Sequence, residues 1–254
     1  MPLRQLTGLP KMLYSELVTY RRLSSLLPVF AALVLASLLA ACRSNAPETS
    51  APQAAPAATP APASNTAAPA GRPVIVAFGD SLTAGFGADP GDSYPDYLEK
   101  DLNTMGYHYQ VINEGISGNT TKDGVDRLQD ALNVKPVLVI VAFGGNDGLR
   151  GLPITTTREN LDLIVSNLLN AGVKVVLGGI TLPPNYGADY IHQFNQTYAL
   201  LAAKYHVPVL PFLLQGVYGV PGSMQADGIH ATDKGNAQVA KNLLPLIVPL
   251  LKKS

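Results

Sequence analysis

The chain has 254 residues, and its 18 basic and 18 acidic side chains give a formal charge of zero at pH 7. No basic block is long enough to bind a phosphate backbone, which disfavours nucleic acid as a partner. The single cysteine excludes both an intrachain disulfide framework and a metal site built from several cysteines. The length is compatible with one large domain or two small ones.

The first 42 residues have the pattern of an export signal. Arg21 and Arg22 precede the apolar stretch 23–41, and small residues lead up to Cys42. The tetrad 39–42 resembles the lipobox of bacterial lipoproteins, in which the cysteine is lipidated and becomes the mature N-terminus. A membrane-spanning anchor stays open as the alternative, because the stretch approaches the roughly 20 residues that a bilayer requires. We expect a lipoprotein-type signal peptide over 1–42.

Residues 43–72 are rich in Ala, Pro, Ser and Thr and show no apolar periodicity. Such a segment buries too little apolar surface to offset its ordering entropy, and proline keeps it semi-extended. We therefore expect a disordered linker over 43–72 and a folded domain over 73–254. The expected location is the cell envelope, where a monomer faces the periplasm and reaches the membrane through lipidated Cys42. Secretion stays open as the alternative location.

From residue 73 onward, short apolar segments alternate with helical patterns. The predicted strands are 74–78, 109–112, 137–143, 173–180 and 207–212. The predicted helices are 94–105, 121–132, 158–171, 190–205 and 234–251, with a capping box at Thr156 and Glu159. Strands that are apolar on both faces are typical of parallel sheets between two helix layers. The pattern predicts a three-layer α/β/α sandwich around a five-stranded parallel sheet, of the flavodoxin-like type.

In such a sheet, ligands bind beyond the carboxyl ends of the strands, so the residues that follow each strand are the candidates for a site. Ser81 follows the first strand, Gly115 the second and Asn146 the third. Asp227 and His230 stand just ahead of the last helix. One serine, one histidine and one carboxylate at a shared edge are the parts of an acyl-transfer site.

Each of these residues also has an ordinary structural interpretation. Ser81 alone fits a helix N-cap, and Gly115 alone fits a tight turn. His230 alone fits a surface or structural position. The functional interpretation gains weight because the segments fall at corresponding ends of successive strands.

A metal site is another interpretation of the acidic residues at this edge. It would use Asp80, Asp147, Asp227 and His230. The set contains one histidine and no cysteine, which makes it a poor match to a transition-metal site. We therefore expect neither a metal nor another cofactor.

The segments at this edge resemble the sequence blocks of the SGNH/GDSL hydrolase family. They are GDSL at 79–82, the glycine Gly115, GGND at 144–147 and DGIH at 227–230. The likeness extends over 73–251, and the segments GGNDGLRG and LPPNYG are similar to the branch of bacterial periplasmic thioesterases, lysophospholipases and arylesterases. The G-x-S-x-G pattern of α/β-hydrolases does not fit, because Thr83 stands where its second glycine belongs.

The resemblance implies a role for each residue at the edge. Ser81 would be the nucleophile, His230 the base that takes its proton, and Asp227 the group that orients the imidazole. The oxyanion would be stabilised by the backbone N–H groups of Ser81 and Gly115 and by the side-chain amide of Asn146. The two remaining aspartates, Asp80 and Asp147, would be hydrogen-bond acceptors that fix loops.

The resemblance also implies hydrolysis of short to medium acyl esters, thioesters and lysophospholipids. Loops at the sheet edge are expected to set acyl specificity through four candidate residues: Leu149, Leu152, Pro183 and Tyr186. Two alternatives stay open, a carbohydrate acetyl esterase of the envelope and a lipid-binding lipoprotein without turnover. The absence of tryptophan, an aromatic platform for sugars, disfavours the first. The intact set of serine, aspartate and histidine disfavours the second.

Replacing Cys42 by alanine tests the lipoprotein signal. Without the thiol no lipid can be attached, so Cys42→Ala should be retained as precursor or released in soluble form. Arg43 follows the cysteine where an aspartate would retain a Gram-negative lipoprotein in the inner membrane, so the wild type is expected in the outer membrane. The measurement is incorporation of radioactive palmitate. A wild type that takes up no label would leave a simple signal peptide or anchor.

Overall fold

Five parallel strands form the centre of the domain in this computed structural model, which describes residues 71–253. They are β1 (Val74–Gly79), β2 (Gln110–Gly115), β3 (Leu138–Ala142), β4 (Lys174–Gly178) and β5 (Val209–Leu210). Their order in the sheet is β2-β1-β3-β4-β5, and every pair is parallel. This is the flavodoxin-like order, so the predicted fold is confirmed. The predicted signal peptide 1–42, with Cys42, and the linker as far as residue 70 lie outside the described residues.

Eight α-helices connect or flank these strands in the described part of the chain. They are α1 (Ser81–Ala84), α2 (Tyr94–Thr104), α3 (Thr121–Asp126), α4 (Leu128–Asn133), α5 (Gly145–Leu149), α6 (Ile154–Asn170), α7 (Ala188–Tyr205) and α8 (Asp233–Ile247). Helix α2 packs on α8, whereas α6 packs on both α3 and α7. The sheet is therefore covered by one helix layer on each face. No helix within 71–253 is long and apolar enough to cross a bilayer.

The sheet is buried unevenly, and this differs from the expectation of strands buried on both faces. Strands β1 and β3 are buried at every position. Strand β2 has only β1 as a neighbour, and none of its residues is fully buried. Its position at the edge leaves one side open to solvent, which the apolar character of 109–112 did not reveal.

Proline accounts for two differences between the predicted and observed boundaries. The strand expected over 207–212 is reduced to Val209–Leu210 between Pro208 and Pro211, because proline has no N–H for the ladder. Helix α6 begins at Ile154 after Pro153, so the capping box predicted at Thr156 and Glu159 is wrong. Both threonine and glutamate lie inside the helix.

The first residues of the described chain are already part of the folded domain. The guanidinium of Arg72 forms an ion pair with Glu99 on α2 at 3.0 Å. It also donates a hydrogen bond to the carbonyl oxygen of Tyr109. Arg72, the last residue of the expected linker, therefore contacts the folded domain.

Helix α1 lies directly on the end of β2, and a glycine permits this close approach. A Cβ atom placed on Gly115 would lie 2.1 Å from the backbone nitrogen of Ala84. The next residue, Ile116, donates its N–H to the carbonyl oxygen of Gly79 at 3.1 Å. Any side chain at position 115 would push α1 away from the sheet, and α1 begins with Ser81.

Gly115→Ala should lower the free energy of unfolding by about 1–3 kcal/mol, because the added methyl group overpacks against backbone that cannot rotate away. Chemical denaturation of the purified domain is the measurement. Gly172→Ala is the control, since its Cβ meets open space and only its positive φ of 77° opposes the substitution. A Gly115 variant as stable as wild type would contradict this account of the packing.

Candidate active site

The carboxyl ends of β1 and β3 lie side by side at the point where the strand order reverses. Ser81 comes two residues after β1, and Asn146 stands near the start of α5, just after β3. Asp227 and His230 reach the same edge from the loop ahead of α8. This is where an open α/β sheet binds its ligands.

Three side chains form a continuous hydrogen-bonded chain at this edge. Nε2 of His230 lies 2.9 Å from Oγ of Ser81. Nδ1 of the same imidazole lies 2.6 Å from Oδ2 of Asp227. A hydroxyl, an imidazole and a carboxylate at these distances can move a proton from the serine to the histidine while the carboxylate holds the ring.

The backbone around Ser81 is held by its neighbour, which leaves the hydroxyl unused by the fold. Asp80 is the N-cap of α1, and its Oδ1 accepts the N–H of Leu82 at 3.0 Å. Ser81 is the first residue of the helix and does not cap it, so the N-cap interpretation is wrong for Ser81 and correct for Asp80. The serine hydroxyl is therefore free to contact His230.

Asp227 is fixed by the same short loop that carries the histidine. Its Oδ1 accepts the backbone N–H groups of Ile229 at 2.9 Å and His230 at 3.0 Å. Burial alone would raise the pKa of Asp227, but the hydrogen bonds from the His230 ring and from these two N–H groups lower it to about 2. The carboxylate stays ionised at neutral pH, as an acceptor for Nδ1–H must.

Two residues that the sequence did not single out hold the histidine from other directions. The ring of Phe86 lies against the imidazole of His230, with 4.6 Å between the centroids. Gln225 donates its backbone N–H to the carbonyl oxygen of His230 at 2.8 Å, and its side-chain amide bridges the carbonyl oxygens of Phe86 and Ala231. No sequence pattern indicates the contacts of Phe86 with His230 and Gln225, because they join segments about 140 residues apart.

Asn146 stands in the first turn of α5 and already uses one of its two amide hydrogens. Its Nδ2 donates to the carbonyl oxygen of Asn119 at 2.9 Å. A side-chain amide has two N–H donors, so the second remains for a ligand. The preceding turn needs glycine at 144, where φ is 121° and a Cβ would lie 2.3 Å from the hydroxyl of Tyr198. That hydroxyl donates to the carbonyl oxygen of Phe143.

Gly115 does not offer the donor that the resemblance assigned to it. Its N–H is donated to Oδ1 of Asn113 at 2.9 Å, and its Cα packs under α1. Three residues later, the N–H of Gly118 has no hydrogen-bond partner among residues 71–253. The carbonyl oxygens of Gly118 and Asn119 accept from Arg150 and Asn146, which ties this loop to α5. The geometry therefore argues for Gly118, not Gly115, as the glycine that faces the site.

Buried Asp147 and partly buried Arg127 are polar residues that hold the loops from beneath. Both carboxylate oxygens of Asp147 accept from Thr121, one from its N–H at 2.8 Å and the other from its hydroxyl at 2.5 Å. The guanidinium of Arg127 donates to the carbonyl oxygen of Gly79 and to the side chain of Asn119, both at 2.7 Å. Burial lowers the pKa of Arg127. Its part in the site was not evident from sequence.

A cavity of about 480 Å³ opens beside Ser81 and His230. Its walls are largely apolar and include Leu82, Ile180, Leu182, Phe212, Leu214 and Ile229. Of the four residues predicted to line an acyl groove, Leu149 and Pro183 line this cavity, whereas Leu152 and Tyr186 do not. Tyr186 acts behind the wall instead, since its hydroxyl donates to the carbonyl oxygen of Leu149 at 2.8 Å.

The acidic residues considered as metal ligands do not form a ligand cluster in the described part of the chain. Within 71–253, the only such group is Asp89, Asp92 and Asp233, whose ligand atoms lie within 4.8 Å of one another. The ammonium group of Lys100 approaches Asp92 at 3.5 Å. None of these carboxylates lines the cavity beside Ser81, and we assign them no role in the site.

A hydrogen-bonded Ser, His and Asp set at the carboxyl edge of a parallel sheet, beside an apolar cleft, defines the class of serine hydrolases. The chain belongs to the GDSL-like Lipase/Acylhydrolase family, whose model matches residues 77–238. It is therefore a hydrolase of ester bonds.

Individual relatives agree with this family. The esterase TesA of Pseudomonas aeruginosa is 42% identical over 70% of this chain and 89% of that protein. Thioesterase 1/protease 1/lysophospholipase L1 of Escherichia coli is 36% identical over 68% of this chain and 84% of that protein. A crystal structure of TesA superposes with a TM-score of 0.68 at 41% identity, covering 70% of this chain and 99% of that chain.

Asp80 gives the domain a measurable dependence on pH. Burial raises the pKa of Asp80 from 3.8 to about 6. The hydrogen bond from the Leu82 N–H and the nearby His230 lower this pKa, but burial has the larger effect. Between pH 3.8 and pH 6, Asp80 binds more protons in the folded state than in the unfolded state. The free energy of unfolding therefore falls as the pH rises through this range. The loss amounts to about 3 kcal/mol.

Asp80→Asn should remove this dependence, because asparagine keeps the acceptor for the Leu82 N–H and carries no charge. The measurement is the free energy of unfolding of both proteins between pH 4 and 8. The exposed Asp130→Asn is the control. Parallel stability curves for wild type and Asp80→Asn would contradict the burial argument.

Proposed function

We propose that the protein is a serine esterase that hydrolyses acyl esters and thioesters through an acyl-enzyme on Ser81. The observation that carries the proposal is the hydrogen-bonded chain from Asp227 through His230 to Ser81, which opens into an apolar cleft. The names of the relatives, esterase, arylesterase and thioesterase, support the same reaction class.

In the first half of the reaction, Oγ of Ser81 attacks the carbonyl carbon while Nε2 of His230 takes the hydroxyl proton. The tetrahedral intermediate collapses as the imidazolium returns that proton to the leaving alcohol or thiol. In the second half, water attacks the acyl-enzyme with His230 again as the base. The acid is released and the serine hydroxyl is restored. Asp227 keeps Nδ1 protonated and stabilises the transient imidazolium.

The negative charge that develops on the carbonyl oxygen needs donors aimed away from the histidine. We assign this part to the N–H of Ser81, the N–H of Gly118 and the second amide hydrogen of Asn146. The bond from Asn146 to Asn119 and the bonds from Arg127 to Gly79 and Asn119 hold these donors in place before substrate arrives. Donors that are fixed in advance cost no reorganisation in the transition state.

The lining of the cleft favours acyl chains over sugars. Its lining is largely apolar and includes Leu149, Pro183, Leu214 and Ile229. Medium-length acyl esters and lysophospholipids are therefore the proposed substrates. A glycan would need hydrogen-bonding side chains along these walls.

We also propose that the enzyme works in the cell envelope as a lipid-anchored monomer. The proposal depends on the signal pattern over 1–42, the cysteine Cys42 and the Ala/Pro-rich segment that follows it. A tether of this kind would hold the cleft close to membrane lipids, which are esters. Its test is the palmitate labelling of Cys42 given above.

Ser81→Ala should lower kcat on p-nitrophenyl esters by at least about 10⁴-fold, because the covalent route is lost while the oxyanion donors remain. A fluorophosphonate probe should label the wild type and leave this variant unlabelled. Ser166→Ala is the matched control, since that serine is half-buried on α6, does not line the cleft and bonds to the carbonyl oxygen of Leu163. Undiminished labelling of Ser81→Ala would overturn the nucleophile assignment. Acetylated xylan, tested beside the acyl esters, would separate the carbohydrate esterase from the acyl esterase.

Asn146→Ala should lower kcat by about 10²–10³-fold with little change in KM, because the amide acts on charge that exists only in the transition state. Asn146→Asp keeps the size but brings a negative charge next to the oxyanion, so its kcat should fall at least as far. Circular dichroism checks that both variants fold. A folded Asn146→Ala that keeps its kcat and raises KM would make Asn146 a ground-state binding residue.

A further inference from the structure

A second cavity lies behind the far wall of the cleft. Its volume is about 370 Å³, and it lies between α7 and the end of β5. Tyr198, Ala199 and Val209 line it, and no residue of the hydrogen-bonded triad does. Two residues line both cavities, Thr181 and Phe212. Both side chains therefore belong to the wall that the two cavities share.

The strand order places this shared wall opposite the reacting serine. Ser81 follows β1, whereas Phe212 comes two residues after β5. In the sheet, β5 is three strands away from β1, a distance of roughly 14 Å at the usual strand spacing. The cleft runs along the carboxyl edge of the sheet, past Ile180 and Leu182 beyond β4. An acyl tail that follows the cleft from Ser81 would therefore run toward Phe212.

Phe212 is suited to be a wall that limits the chain. It is half-buried, and its ring packs edge-on against Tyr218 with 6.2 Å between centroids. Phenylalanine has no polar side-chain group, so we assign Phe212 no part in the chemical step at Ser81. Of the two shared residues, it also has the larger side chain, so its removal opens the wider passage.

We propose that Phe212 sets the acyl-chain length by closing the cleft from the second cavity, which would hold the ends of longer chains if the ring were absent. This inference rests on the proposed acyl-esterase function. In the wild type, a chain that reaches Phe212 must turn out into water. In a variant without the ring, each methylene group that enters the second cavity should raise kcat/KM about fourfold.

Phe212→Ala tests the wall with p-nitrophenyl butyrate, octanoate, laurate and palmitate. The ratio of kcat/KM for palmitate to that for butyrate should rise by roughly tenfold or more over wild type, since several methylene groups gain apolar contact. Butyrate ends before the wall and is the reference substrate for this ratio. Thermal denaturation checks folding, and Phe212→Leu gives the same test with a smaller cavity should the alanine variant be unstable.

Two further variants distinguish a joined cavity from a merely wider cleft. Leu149→Ala enlarges the cleft without touching the second cavity, so it should not shift the preference toward palmitate. Ala199→Phe fills the second cavity from an exposed position on α7. Alone it should leave the chain-length profile unchanged, and combined with Phe212→Ala it should cancel the gain on palmitate.

The outcomes separate this inference from the proposed function. A wild type that hydrolyses no acyl ester and takes up no fluorophosphonate would refute the esterase assignment itself. An active wild type with a Phe212→Ala variant that keeps the wild-type ratio would refute the wall alone. A gain on palmitate that persists when Ala199→Phe is added would also refute it, because the tail would then lie elsewhere.

Discussion

A hydrogen bond of 2.9 Å between His230 and Ser81 joins two residues that are 149 positions apart, and the active site depends on it. Its length is set by two separate supports. Helix α1, capped by Asp80 and seated on Gly115, fixes the serine. The loop from 225 to 230, held by Gln225 and Asp227, fixes the histidine. A shift in either support would change the distance over which the proton moves.

Polar groups lie beneath this edge of the sheet, where a core would ordinarily be apolar. Asp80 and Asp147 are almost fully buried, and Arg127 lies beneath the same edge of the sheet. The guanidinium also lies over the rings of Phe78 and Phe143, which favours the cation in a poorly solvated place. Burial of an ionised carboxylate is unfavourable, as the raised pKa of Asp80 indicates. The fold accepts this cost next to the serine, where fixed geometry matters most.

The strand order determines the positions of the cleft and its far wall as well as the position of the triad. A parallel sheet presents all of its carboxyl ends at one edge, so the reacting group after β1 and the lining residues after β4 and β5 share one surface. The serine and the residues of the far wall therefore follow different strands of the sheet.

Local patterns in the sequence were sufficient for the sheet, the helix layers and the triad. Short apolar strands between amphipathic helices determine a parallel sandwich, and the motifs around Ser81, Asn146 and His230 mark its carboxyl edge. What only the tertiary structure decided depends on contacts distant in sequence. The hydrogen bond that occupies the Gly115 N–H, the bonds of Arg127 beneath the loops and the position of Phe212 on the walls of two cavities are of this kind. No local pattern records which side chains meet across the sheet, because packing between separate strands sets those neighbours.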